Sequence, residues 1–160
     1  MKTINNPINN SVFDTRDLID YLETISTDLV DVWNDFADEE HQASDIDDIF
    51  GTSGYEFADD IKDVFANFEE VNEDDIENYK KINAFCSDLE AEASDYRYGE
   101  GVIHEEYFTD YTRELLVDCG YIPKDMPSWI EIDYDATAEN VKADYAEVNY
   151  DGDTYYIRNV

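Results

Sequence analysis

A long acidic stretch, from Asp14 to Glu77, limits what this chain can fold into. It holds 23 Asp or Glu residues against two bases, a net charge of −21 over 64 residues. Apolar residues interrupt it every three or four positions, at Leu18, Leu22, Ile25, Leu29, Trp33 and Phe36. That spacing keeps them on one side of an α-helix. Aspartates fall on the opposite side, at Asp17, Asp20, Asp28, Asp31, Asp35 and Asp38. The stretch therefore predicts a helix with one face that packs and another that carries carboxylates.

The composition argues against a wholly disordered acidic chain and against anionic partners. Hydrophobic residues make up 42% of the chain and aromatic residues 14%, which is enough apolar side chain to offset ordering entropy. The formal net charge of the 160 residues is −32, whereas roughly 2–8 units suffice to keep a small domain soluble. Such a charge repels nucleic acid and anionic membranes. Adaptation to high salt and a basic protein partner remain open as explanations, while the even spread of charge disfavours a solubilising tail.

The order of elements predicts an α+β fold, with an acidic helical N-terminal half followed by a smaller α+β C-terminal part. We expect residues 1–12 to be a flexible lead-in, residues 13–98 an acidic helical region and residues 99–160 the C-terminal α+β region. The predicted helices cover, to within a residue or two, positions 14–38, 55–68, 74–96, 105–118 and 135–144.

Two local signals in the C-terminal region are sharper than the rest. Gly120 is predicted to end the helix before it, with Pro123 just beyond. At the end of the chain Tyr145–Tyr150 and Thr154–Arg158 flank Asp151-Gly152, the sequence of a two-residue turn. The chain is therefore expected to close on a β-hairpin.

No catalytic or metal-binding pattern stands out. The two histidines, His41 and His104, lack the spacing of a metal site. Cys86 and Cys119 fall at apolar helical positions, which favours buried, reduced thiols. The polar N-terminus has no apolar segment of a signal peptide, and no stretch is long enough to span a membrane. We expect a cytoplasmic protein that is not an enzyme and that uses no cofactor and no metal.

The spacing of the charges along the first predicted helix is close to that of DNA. Duplex DNA carries about one charge per 3.4 Å of axis on each strand. Eight Asp or Glu residues from Asp14 through Asp38 lie on a helix, which gives about one charge per 5 Å at a rise of about 1.5 Å per residue. A decoy for a DNA-binding cleft and a salt-adapted surface are equally compatible with this spacing.

A series of short strings in the second half of the chain, from about Ala84 to Arg158, carries a resemblance to a known family. The strings are Tyr107-Phe108 with Tyr111, Gly120–Pro123, Trp129-Ile130, Ile132–Val141 and Tyr155–Arg158. In them the chain resembles the ArdA-type antirestriction proteins found on phages and mobile elements. Members of that family are elongated, commonly dimeric proteins that imitate bent B-form DNA and occupy the DNA-binding groove of type I restriction–modification enzymes.

The resemblance implies a non-enzymatic inhibitor, here a phage-type antirestriction protein that acts in the host cell cytoplasm. Its partner would be a host DNA-binding protein, a type I restriction–modification enzyme above others, and a homodimer fits the family. The predicted partner-binding surface consists of Asp17, Asp20, Asp28, Asp31, Asp35, Asp38, Asp59, Asp60, Asp63, Glu69 and Glu70.

Two alternative functions stay open. One is a decoy for another host protein, such as a nucleoid protein, a CRISPR effector or a transcription factor. The other is a salt-adapted acidic interaction module without mimicry.

Overall fold

The computed structural model describes residues 5–37, 42, 46 and 73–159. In these residues four α-helices and four β-strands form an α+β fold, which confirms the predicted fold class. The helices are α1 (Thr15–Ala37), α2 (Glu73–Glu92), α3 (Phe108–Asp118) and α4 (Tyr134–Val141). The strands are β1 (Val12–Asp14), β2 (Gly101–His104), β3 (Tyr145–Tyr150) and β4 (Asp153–Arg158).

The strands form one antiparallel sheet in the order β1-β2-β4-β3. Strands β3 and β4 make a hairpin, with Tyr150 opposite Asp153. The two residues between them, Asp151 and Gly152, have positive φ angles of 51° and 98°. Positive φ at both turn positions is the geometry of a type I′ turn, which matches the twist of the strands. The predicted C-terminal hairpin is therefore confirmed.

Strand β1 is an element that the sequence pattern did not predict. It pairs with β2, and its central residue Phe13 lies opposite Val102. Phe13 is buried, and its ring centre lies 6.0 Å from that of Tyr155 in an edge-on contact. A strand of three residues is too short to show a period-two pattern, so only its pairing partner reveals it.

Thr15 fixes the point at which α1 leaves β1. Its side chain is fully buried, and its hydroxyl donates to the Tyr96 carbonyl at 2.6 Å. The same oxygen accepts the Glu100 N–H at 2.9 Å, and the Thr15 N–H donates to the Glu100 carbonyl at 2.9 Å. Because the hydroxyl and the N–H of this buried threonine both have partners, burying them leaves neither group unsatisfied.

The chain divides into two compact units. The first comprises residues 1–6 and 18–86, and the second comprises residues 7–17 and 87–160. This grouping differs from the predicted boundaries at residues 12 and 98, which remain a prediction. In the first unit the buried residues Leu29, Val30, Ile46, Ile76 and Tyr79 form one apolar cluster.

Aromatic rings build the core on one side of the sheet in the second unit. Phe108, at the start of α3, is 1% exposed and lies against Ile103 and Ala138. Its ring centre is 4.8 Å from that of Tyr156 and 5.1 Å from that of Tyr145. Both contacts are edge-on, an arrangement that adds to the stabilisation from burial alone. The packing joins α3 and α4 to the sheet.

The described helices lie where the sequence predicts them, and they differ from the prediction only in some of their first and last residues. Helix α1 confirms the first predicted helix over Thr15–Ala37, and residue 38, its predicted end, lies outside the described residues. Short 3₁₀ turns precede α3 and follow α4. Helix α2 ends at Glu92, before the predicted end at Tyr96, which instead opens a 3₁₀ turn. The helix predicted over residues 55–68 lies outside the described residues.

Candidate acidic binding surface

Helix α1 separates apolar from acidic side chains as its sequence predicts. Leu18, Ile25 and Leu29 are at most 4% exposed, and Leu22 and Trp33 are partly buried. Packing of this apolar side stabilises the helix, because most helices in proteins depend on tertiary contacts more than on intrinsic propensity. The opposite side of the helix is left to polar residues.

Arg16, the only Lys or Arg between residues 5 and 37, is bound by Asp14. One Asp14 oxygen accepts the Arg16 backbone N–H at 2.8 Å and Nε at 3.0 Å, and the other accepts Nη2 at 2.7 Å. The hydrogen bonds from the Arg16 side chain hold the pKa of the Asp14 carboxyl below its usual range. Asp14 thus caps the helix and engages Arg16 at the same time.

Beyond Arg16 one side of α1 carries a line of carboxylates that we name the acidic face. It consists of Asp17, Asp20, Glu23, Asp28, Asp31 and Asp35. Asp28 is partly buried and the others are exposed. At a rise of about 1.5 Å per residue the face extends over roughly 27 Å. Its central part, together with Thr24 and Thr27, lines an open concavity.

Two threonine hydroxyls add hydrogen-bond acceptors to the acidic face. Thr24 donates to the Asp20 backbone carbonyl at 2.8 Å, and Thr27 donates to the Glu23 carbonyl at 2.9 Å. A hydroxyl has one proton and two lone pairs, so each oxygen keeps its capacity to accept. Carboxylates and such hydroxyls are suited to the charged N–H donors of Lys and Arg.

Several bases outside α1 are already engaged by other side chains. Arg97 pairs with Glu90 at 2.7 Å, and Lys142 pairs with Glu139 at 2.8 Å. The guanidinium of Arg113 lies 4.8 Å from the centre of a tyrosine ring, that of Tyr134. Within the part of the chain that the structure describes, no ion pair involves a carboxylate of the acidic face. Lys and Arg side chains of the described residues therefore leave these carboxylates available to a basic partner.

The structure places five residues of the predicted binding surface together on α1, namely Asp17, Asp20, Asp28, Asp31 and Asp35. The other six, Asp38, Asp59, Asp60, Asp63, Glu69 and Glu70, lie outside the described residues. The sequence pattern missed Glu23, Thr24 and Thr27. Glu23 lies at the edge of the aspartate stripe, and the threonines carry no charge, so a search for aligned carboxylates passes over all three.

His104 has a structural role, and the two cysteines differ in their burial. His104 Nδ1 accepts the Glu106 N–H at 3.2 Å and so caps the 3₁₀ turn before α3. Cys86 is buried as predicted, but the prediction was wrong for Cys119, which is exposed because it lies at the C-terminal cap of α3. Among the described residues, no group of three His, Cys, Asp or Glu side chains is placed to hold a metal ion.

Two further properties bear on function, namely the hydropathy of the helices and the similarity of the chain to known proteins. No helix in residues 5–37 or 73–159 is both long and apolar enough to cross a membrane. Comparison of the chain with protein-family models, with curated proteins and with solved structures finds no match. Among the described residues, the acidic face is therefore the feature that bears most directly on function.

Proposed function

We propose that this protein is a DNA mimic that occupies the DNA-binding groove of type I restriction–modification enzymes and blocks them without catalysing a reaction. The observation that carries the proposal is the acidic face, a line of carboxylates on a packed helix, none of which forms an ion pair with a base of the described residues. The resemblance of the second half of the chain to ArdA-type proteins favours the same function.

A DNA-binding groove would gain free energy from the acidic face by the mechanism that it uses on DNA. Such grooves bind duplex through Lys and Arg, and binding releases condensed counterions. Carboxylates on a packed helix are already ordered, so the groove need not order a flexible chain. Exposed ion pairs contribute about 0.2–1 kcal/mol each, so the affinity is spread over many contacts.

In this proposal the protein acts in the host cytoplasm, where restriction enzymes meet incoming DNA. Its partner is a protein with a basic groove, since a chain with a net charge of −32 is repelled by DNA itself and by anionic membranes. Inhibition is by occupation of the groove, which requires no cofactor.

The proposal predicts that the purified protein displaces labelled duplex DNA from a type I restriction–modification enzyme. Displacement should weaken between about 50 and 200 mM salt, because the contacts are electrostatic. Fluorescence anisotropy of the duplex at the two salt concentrations measures both effects. Absence of displacement at either concentration would contradict the proposal.

A fourfold variant, Asp20→Asn, Asp28→Asn, Asp31→Asn and Asp35→Asn, tests the acidic face directly. At roughly 0.5 kcal/mol per lost contact it should weaken inhibition about 30-fold. The matched control removes four exposed charges outside both the acidic face and the segment between α3 and α4, by Glu105→Gln, Glu106→Gln, Asp144→Asn and Glu147→Gln. An equal loss in both variants would assign the effect to total charge and count against the acidic face.

A further inference from the structure

The segment between α3 and α4, residues 119–133, exposes large apolar side chains. Trp129 is 79% exposed, Tyr121 is 76% exposed and Ile130 is 38% exposed. An aromatic side chain of this size can bury about 150–250 Å² of surface. Trp129 uses little of that area within the chain, so its indole is available to a partner.

The backbone of this segment is held at both ends and in the middle. After α3 the Ile122 N–H donates to the Leu116 carbonyl at 3.1 Å, and before α4 Asp133 accepts the Ala136 N–H at 2.9 Å. The Ile130 N–H donates to the Pro127 carbonyl at 3.0 Å, which closes a tight turn with Trp129 at its third position. Trp129 is therefore displayed on an ordered turn, and binding it would cost little ordering entropy.

Acidic residues surround the exposed indole in the sequence. From Asp118 to Asp135 the chain has five carboxylates, all exposed, against one base, Lys124. An apolar centre within a charged rim is the usual organisation of a protein interface. Charge complementarity favours a basic protein as the partner. A second copy of this chain, a nucleic acid and an anionic membrane would all bring negative charge to this acidic segment.

We propose that Trp129, with Ile130 beside it, is an apolar anchor that inserts into an apolar pocket within a basic protein surface. The inference rests on the proposed function in one respect, since the basic surface is taken to belong to the restriction–modification enzyme. It goes beyond mimicry, because DNA offers such an enzyme no indole. Aromatic anchors of this kind carry much of the affinity of many interfaces.

The test measures binding of Trp129→Ala to a purified type I restriction–modification enzyme over a range of salt concentrations. Affinity should fall about 30-fold, the effect of truncating an interface hot spot. The dependence of affinity on salt should stay that of the wild type, because no charge is removed. Trp129→Phe, which keeps an aromatic ring, should lose less than about fivefold. The matched control is Tyr98→Ala, which removes an aromatic side chain that is 80% exposed.

Each outcome decides between the proposals. A loss confined to the Trp129 variants, with wild-type circular dichroism and thermal midpoint, supports the anchor. Binding of Trp129→Ala within about threefold of the wild type overturns the anchor and leaves the proposed function intact. An equal loss in Tyr98→Ala also overturns it, because general apolar exposure then explains the effect. No binding by the wild-type chain overturns the proposed function and the anchor together.

Discussion

The hydroxyls of Tyr111 and Tyr145 lie 2.9 Å apart and share a hydrogen bond. Burial raises the pKa of the Tyr145 phenol above its usual range, and the bond to Tyr111 adds to the shift. Nearby Arg158 acts in the opposite direction without reversing it. Burial also raises the pKa of Tyr155, on the neighbouring strand. The phenols of Tyr145 and Tyr155, whose pKa values are raised, therefore stay protonated in the folded chain at a pH at which a phenol of ordinary pKa ionises.

We predict that Tyr145→Phe reduces the loss of stability at alkaline pH. Above about pH 10 the unfolded chain releases the Tyr145 proton while the folded chain keeps it. The unfolded state then binds fewer protons, so the free energy of unfolding falls as pH rises. Urea unfolding between pH 8 and pH 11 should show a shallower decline in the variant. At pH 8 the free energy of unfolding of the variant should be lower by about 1 kcal/mol, because the hydrogen bond to Tyr111 is lost.

The control is Tyr121→Phe, which changes an exposed tyrosine. If stability declined as steeply with pH in Tyr145→Phe as in this control, the prediction would be contradicted.

At the scale of elements, the end of α3 shows how one residue stops a helix and directs the segment that follows. Gly120 has a φ of 73°, and its N–H donates to the Val117 carbonyl at 3.1 Å. No neighbouring atom lies within 4 Å of the position that a Cβ would take at Gly120. The requirement for glycine is therefore conformational, since left-handed backbone is strained for other residues.

Replacing Gly120 by alanine should lower the free energy of unfolding by about 1 kcal/mol, the cost of a left-handed residue with a Cβ. Gly101→Ala is a matched control, because Gly101 also has open space around it but no left-handed φ. Chemical denaturation of both variants measures the difference. Equal stabilities would show that the backbone at position 120 does not need its left-handed conformation.

At the scale of the whole molecule, the net charge of −32 opposes folding and favours a basic partner. Salt weakens both effects, so it stabilises the fold and reduces binding to the partner. It screens repulsion within the chain over a Debye length that shrinks from about 30 Å at 0.01 M to about 10 Å at 0.1 M. It also weakens attraction to a basic groove.

We predict that the thermal midpoint rises by roughly 5 °C between about 10 and 200 mM salt, the equivalent of about 1–2 kcal/mol. The chain should be folded throughout this range, while displacement of DNA weakens. Circular dichroism melts at matched salt concentrations provide the measurement. A chain that is unfolded at 10 mM salt and folds only near molar salt would instead favour the salt-adapted module.

Features that depend on neighbouring residues could be predicted from the sequence alone. The apolar period of α1, the Asp151-Gly152 turn and the stop at Gly120 each involve side chains within a few positions of one another, and the structure confirms all three. Together with the order of elements, they were enough to predict the α+β class. The acidic face follows from the same local period, because carboxylates opposite an apolar stripe must point away from it.

Features that join distant parts of the chain could not be predicted from local sequence patterns, because they depend on the tertiary fold. Strand β1 exists because Phe13 meets Val102, and Thr15 bonds the carbonyl of Tyr96, 81 positions away. Cys119 and Trp129 read as ordinary apolar residues, yet one is exposed at a helix cap and the other on a turn. Burial and long-range hydrogen bonds depend on which segments meet in space, and the period of a sequence reports only which side of its own element a residue occupies.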